Sequence, residues 1–126
     1  MSIEIDESDG SYMVRVLPIL AVFQAKVANL SAIDQSGRND LKHVNLMILV
    51  VRQFLIELIE AAESGMIDSR GAIIQLEHAR KVVLSREAIR CCEGCLIDFD
   101  KVWPRQVLLA SKDERLRNFV KHRLPA

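Results

Sequence analysis

The chain has 126 residues, half of which are hydrophobic, and its 17 basic residues are balanced by 17 acidic ones. This length fits a single domain over residues 1–126 that buries its own core, and the composition excludes a disordered chain. The zero net charge provides no overall attraction to nucleic acid or to an anionic membrane surface. No apolar run approaches the ~20 residues that a membrane-spanning helix needs, so we expect no membrane partner.

The first part of the chain allows two interpretations. Residues 1–10 form an acidic segment that could be flexible; it holds Glu4, Asp6, Glu7 and Asp9. Alternating apolar residues on both sides of a glycine predict a β-hairpin over residues 3–16. An apolar spacing of three and four residues predicts instead a first helix over about 12–34, kinked or restarted at Pro18. We favour the helix.

The central segment has the most regular apolar pattern. Its apolar residues recur at spacings of three and four without a break: Leu41, Val44, Ile48, Val51, Leu55, Leu58 and Ala62. This heptad pattern predicts a long helix that packs against another helix over its whole length. We place its end at about Ser64, because the Gly65 that follows can adopt the left-handed conformation of a C-terminal cap.

A third helical segment covers about residues 69–93, with Asp68 or Ser69 as its N-cap. In its first half the apolar residues share one face, whereas in its second half they point to roughly the opposite side. This change leaves two alternatives. The helix either contacts different neighbours at its two ends, or it breaks near Ser85, which then caps a new short helix.

The C-terminal segment predicts one more helix, over about residues 112–123. Ser111 and Glu114 have the spacing of a capping box at its start. The predicted fold is therefore all-α, an up-and-down bundle of three long helices plus one or two short C-terminal helices.

Cys91, Cys92 and Cys95 are grouped closely enough to suggest a metal or redox site. Two cysteines three positions apart can hold a metal or close a small disulfide loop. A zinc site needs about four ligands, however, and no second cysteine pair or histidine pair is present. A metal or redox switch is therefore an alternative to the simpler interpretation as buried core residues. An odd, clustered set of cysteines does not suit a secreted disulfide framework, so we expect a cytoplasmic protein.

Four basic residues give the last helix a cationic side: Arg115, Arg117, Lys121 and Arg123. Such a side could contact phosphates or an acidic protein surface. A small nucleic-acid-binding regulator is therefore a second alternative. The zero net charge and the lack of any zinc-finger, RNP or basic-zipper pattern disfavour it.

The central helix carries apolar residues where a helix of a small bundle is expected to be polar. These residues are Leu46, Leu49 and Ile56, and they predict an interface with a partner or with a second copy. The chain has no P-loop, dinucleotide fingerprint, nucleophile elbow or zinc-protease motif, so we expect neither catalytic residues nor a cofactor. We expect a non-enzymatic protein–protein interaction or regulatory module that acts as a homodimer or with another protein.

Overall fold

The computed structural model describes residues 4–6, 13–15, 18–32, 40–95 and 97–125. For both strands and for Ala32, Asp40 and Cys95 it describes the backbone alone. Six α-helices dominate the described part of the chain, which confirms the predicted all-α class. Within the same residues, no helix is long and apolar enough to cross a membrane.

The first described residues form two paired antiparallel strands, so the favoured prediction of a helix from residue 12 is wrong and the hairpin alternative is confirmed. The remaining residues of the acidic segment 1–10 lie outside the described part of the chain. Strand β1 (Glu4–Asp6) pairs antiparallel with β2 (Met13–Arg15). Helix α1 (Ile19–Ala32) begins directly after Pro18, whose carbonyl accepts the Val22 N–H at 3.0 Å. The physical reason is the proline ring, which fits at a helix start but crowds the carbonyl four residues back inside a helix.

Helix α2 (Asp40–Glu63) is the longest element and holds the centre of the core. Its fully or almost fully buried apolar residues form one stripe: Val44, Ile48, Val51, Leu55 and Ile59. The predicted glycine cap is present, since Gly65 has φ +80°. The Met66 N–H reaches the Ala61 carbonyl at 2.9 Å and the Gly65 N–H reaches the Ala62 carbonyl at 3.3 Å. These are the two bonds of a Schellman motif.

The predicted third long helix is two helices, α3 (Ser69–Val83) and α4 (Arg86–Cys95). A side-chain oxygen of Asp68 caps α3 by accepting the Arg70 N–H at 3.2 Å. The hydroxyl oxygen of Ser85 accepts the Ala88 N–H at 3.1 Å, as an N-cap of α4 does. The alternative of a break near Ser85 is therefore confirmed, and it explains why the apolar side changes halfway along the segment.

The C-terminal part consists of short turns of helix. A 3-10 turn (Phe99–Val102), α5 (Arg105–Leu109) and α6 (Glu114–Asn118) lead into a π-helical turn (Phe119–Arg123). The predicted start of the last helix is wrong by two residues. Asp113 rather than Ser111 is the N-cap, because its carboxylate accepts the Arg115 N–H at 2.8 Å, whereas the Ser111 hydroxyl accepts the Asp113 N–H.

One aromatic pair and one partly buried hydrogen bond hold these short elements to the long helices, and a second aromatic pair joins two of the short elements to each other. The ring of Phe23 in α1 lies 5.9 Å from that of Phe99, and the ring of Trp103 lies 5.6 Å from that of Phe119. Arg52 in α2 donates from Nη1 to the Trp103 carbonyl oxygen at 2.8 Å. The C-terminal half is thereby fixed to the same core as α1 and α2.

Substitutions on the buried and the exposed side of α2 test this packing directly. We expect Leu55→Ala to lower the free energy of unfolding by about 2–5 kcal/mol, because it leaves a cavity at a fully buried position. Leu49→Ala is the matched control on the exposed side of the same helix, with an expected change within about 1 kcal/mol. Urea denaturation followed by circular dichroism measures both. Equal losses from the two variants would contradict the assigned orientation of α2.

Candidate interaction surfaces

Three apolar side chains project from α2 on the side opposite its buried stripe. Leu46, Leu49 and Val50 are 51%, 60% and 44% exposed, and spacings of three and four place them on one side of the helix. We call these three residues the outer face of α2. The predicted interface residues Leu46 and Leu49 belong to it, whereas Ile56 is half-buried and lies at its edge. Val50 was missed, although its spacing from Leu46 is a signal that could have identified it.

Opposite charges flank the outer face of α2. Lys42 lies one turn before Leu46 and is exposed. Gln53 and Glu57 follow at the other end, and the Gln53 amide donates to the Glu57 carboxylate at 3.5 Å. The surface is therefore cationic at its N-terminal end, apolar in the middle and acidic at its C-terminal end.

A second surface is an open groove of about 670 Å³ between α3 and the C-terminal helical segment. We call it the α3 groove. One wall is formed by Arg70, Ile73, Ile74 and Glu77 of α3. The other wall is formed by Arg115, Asn118, Phe119, His122 and Arg123. In each wall the residues repeat at helical spacing. The floor of the groove is apolar, and arginines lie at its rim.

The α3 groove brings together two of the four basic residues that were predicted to contact an anionic partner. Arg123 donates from Nε and Nη2 to the two carboxylate oxygens of Glu77 at 2.6 and 3.1 Å. Arg115 donates from Nη1 to the Ser69 hydroxyl at 3.2 Å, which leaves its other donors available. The hydrogen bond from Arg123, with the nearby positive charges, holds the pKa of Glu77 below its ordinary value.

The other two predicted basic residues do not line the α3 groove. Arg117 donates from Nη1 to the Ser111 carbonyl oxygen at 2.7 Å and so stabilises the turn before α6. Lys121 is exposed. The four predicted basic residues therefore do not all lie in one groove.

The cysteines lie in the second half of α4, and the side chains of Cys91 and Cys92 contact the core. Cys91 is buried, and its thiol donates towards the Val27 carbonyl oxygen at 3.6 Å. Burial raises the pKa of the half-buried Cys92, and the charges of Asp98 and Glu93 add to this, although the Phe99 N–H opposes it. The side chain of Cys95 lies outside the described residues. Across the described ranges, no three His, Cys, Asp or Glu side chains are placed to hold a metal ion.

A comparison with known proteins finds no matching family model, no significantly similar curated protein and no significantly similar solved structure. The geometry of the chain itself is therefore the basis for any functional proposal. The two surfaces described above are its most distinctive features.

The protonation of Cys92 can be tested by its reactivity. We expect iodoacetamide to modify Cys92 at pH 7 several-fold more slowly in the folded protein than in urea, because a raised thiol pKa lowers the fraction of reactive thiolate. The rate should increase as the pH is raised towards and beyond the ordinary thiol pKa. Mass spectrometry of the peptide measures the modification site by site. Faster modification in the folded state would identify an activated thiol and contradict this expectation.

Proposed function

We propose that the chain is a non-enzymatic, regulatory helical interaction module that forms a homodimer through the outer face of α2. The observation that carries the proposal is the row of half-exposed Leu46, Leu49 and Val50 opposite the core. Contiguous apolar surface of this kind marks protein interaction sites, whereas single exposed apolar residues do not.

A second copy of the chain is the partner that fits this surface, because the surface is complementary to a copy of itself rotated by 180°. An antiparallel pair of α2 helices with its two-fold axis between Leu49 and Val50 brings these two residues together. The same register places Leu46 against Gln53, and Lys42 against Glu57, across the pair. A symmetric dimer requires this kind of self-complementary contact, in which one patch serves both subunits.

The expected dimer is weak. Burial of a fully exposed Leu or Val side chain contributes about 1.5–3 kcal/mol, so each half-exposed side chain contributes about 1 kcal/mol and the six in a dimer about 6 kcal/mol. Association costs several kcal/mol in lost translational and rotational freedom. The six side chains alone would therefore leave a dissociation constant weaker than about 1 mM. The flanking Lys42–Glu57 pairs and the aliphatic stems of Lys42 and Gln53 have to contribute as well for the proposed dimer to form at about 0.1–1 mM, an affinity that suits a reversible contact.

The described geometry favours this proposal over the two alternatives. A cysteine switch would use an accessible thiolate, whereas Cys91 is buried and the pKa of Cys92 is raised. A nucleic-acid binder would use several unpaired cations together, whereas two of the four basic residues are engaged: Arg123 is paired with Glu77 and Arg117 with a backbone carbonyl. This leaves Arg115 and Lys121, of which only Arg115 lines the α3 groove.

A charged residue at the centre of the outer face tests the interface. We expect Leu49→Glu to abolish self-association, because it buries an unpaired carboxylate against a second copy. Ile89→Glu is the matched control, since Ile89 is also about half exposed but lies on α4. Sedimentation velocity from about 10 µM to 1 mM covers the expected range of affinity. A wild-type chain that stays monomeric, or a Leu49→Glu variant that associates like the wild type, would overturn the proposal.

Charge reversal tests the antiparallel register. Lys42→Glu alone places two carboxylates together at each end of the dimer, and Glu57→Lys alone places two ammonium groups together, so each variant should associate several-fold more weakly. A mixture of the two variants restores an opposite-charge pair at both ends, each pair contributing about 0.2–1 kcal/mol. We therefore expect heterodimers to predominate in the mixture, as measured by native mass spectrometry at low salt. A statistical distribution of dimers would contradict the register.

A further inference from the structure

We infer that the α3 groove binds one amphipathic helix of a partner protein, with two apolar side chains one turn apart and acidic residues beside them. The groove contains no residue of α2, so this inference concerns a second surface and stands independently of the dimer.

The shape of the α3 groove matches a helix. Arg70, Ile73, Ile74 and Glu77 repeat at spacings of three, one and three residues, as one side of a helix does. Across the groove, Arg115, Asn118, Phe119 and His122 repeat at the same spacings. The two helical segments lie side by side and leave these rows uncovered. A third helix can therefore bind between them. Each row spans about 10 Å, which corresponds to about two turns of an occupant.

The apolar floor of the α3 groove is available for anchoring side chains. Ile74 is 65% exposed, one of the most exposed large apolar side chains in the described part of the chain. Ile73 beside it is half-buried, and the ring of Phe119 is buried and packs against the ring of Trp103. The uncovered part of the floor is therefore Ile74 with part of Ile73, and Phe119 supports it. Two apolar side chains from a helix, at positions three or four apart, would cover it.

The rim of the α3 groove specifies the charge of the occupant. Arg70 and Arg115 lie at the same end, since Arg115 bonds to Ser69, the neighbour of Arg70. Among the residues that the structure describes, no carboxylate forms an ion pair with either of them. At the other end, Glu77 is already neutralised by Arg123. Asp68 and Asp113 lie nearby as helix caps, but their carboxylates accept backbone N–H groups and neither residue lines the groove. The lining side chains therefore have an excess of positive charge at one end, which acidic side chains of the occupant would balance.

Selection from a displayed library of helix-forming 14-residue peptides against the full-length wild-type chain tests this inference. We expect selected peptides to share apolar residues one turn apart with Asp or Glu next to them. Ile74→Glu should weaken the best peptide by about tenfold or more, because it places a charge on the apolar floor. Reversal of Arg70 or Arg115 to Glu should weaken it several-fold, with a larger effect at low salt. Fluorescence anisotropy measures each affinity.

Two further variants separate this site from the rest of the surface. Ile89→Glu is a matched apolar-to-acidic change outside the groove and should bind the selected peptide like the wild type. Leu49→Glu should also bind it like the wild type, whether or not the chain forms dimers. Selection of basic or uncharged peptides, or full binding by Ile74→Glu, would overturn the inference. Decanoate binding in the groove without selection of any helical peptide would also overturn it, in favour of a small anionic amphiphile.

Discussion

The buried stripe of α2 is the constraint on which the rest of the molecule depends. Val44, Ile48, Val51, Leu55 and Ile59 form the buried stripe, and α2 contacts α1, α3, α5 and the 3-10 turn. Since α2 is a single 24-residue helix, burying one side of it fixes the direction of every other side chain it carries. Because one side of α2 is buried, the side chains on the opposite side are exposed, and these are Leu46, Leu49 and Val50. The orientation of α2 thus determines both the core and the outer face.

The sequence was most informative about local features, such as helix caps and breaks, that contacts with distant residues do not override. The helical spacing of apolar residues, the glycine after Ser64 and the serine at position 85 each led to a feature that is present, because caps and breaks depend on a few adjacent residues. The same spacing was misleading before Pro18. There two short paired strands carry apolar residues at helical intervals, and the helix starts only after Pro18 because of the constraint that the proline ring places on the backbone.

The two surfaces were predictable to very different degrees. The outer face of α2 is visible in the sequence because Leu46 and Leu49 conflict with an otherwise regular heptad. The α3 groove is not visible, because the residues that bond across it are 46 positions apart in the sequence and each wall alone resembles an ordinary amphipathic helix. Charge alone pointed to Arg115 and Arg123, but only the fold shows that Glu77 neutralises one of them.

The absence of α2 residues from the α3 groove has a consequence for how the molecule could act. A dimer joined through α2 leaves both grooves uncovered, so it is bivalent. A partner that carries two acidic helices on a linker of suitable length would bind the second groove at a raised effective concentration, which can increase the overall strength of binding by orders of magnitude without any new contact. Any condition that shifts the balance between monomer and dimer would then change how tightly the protein holds such a partner.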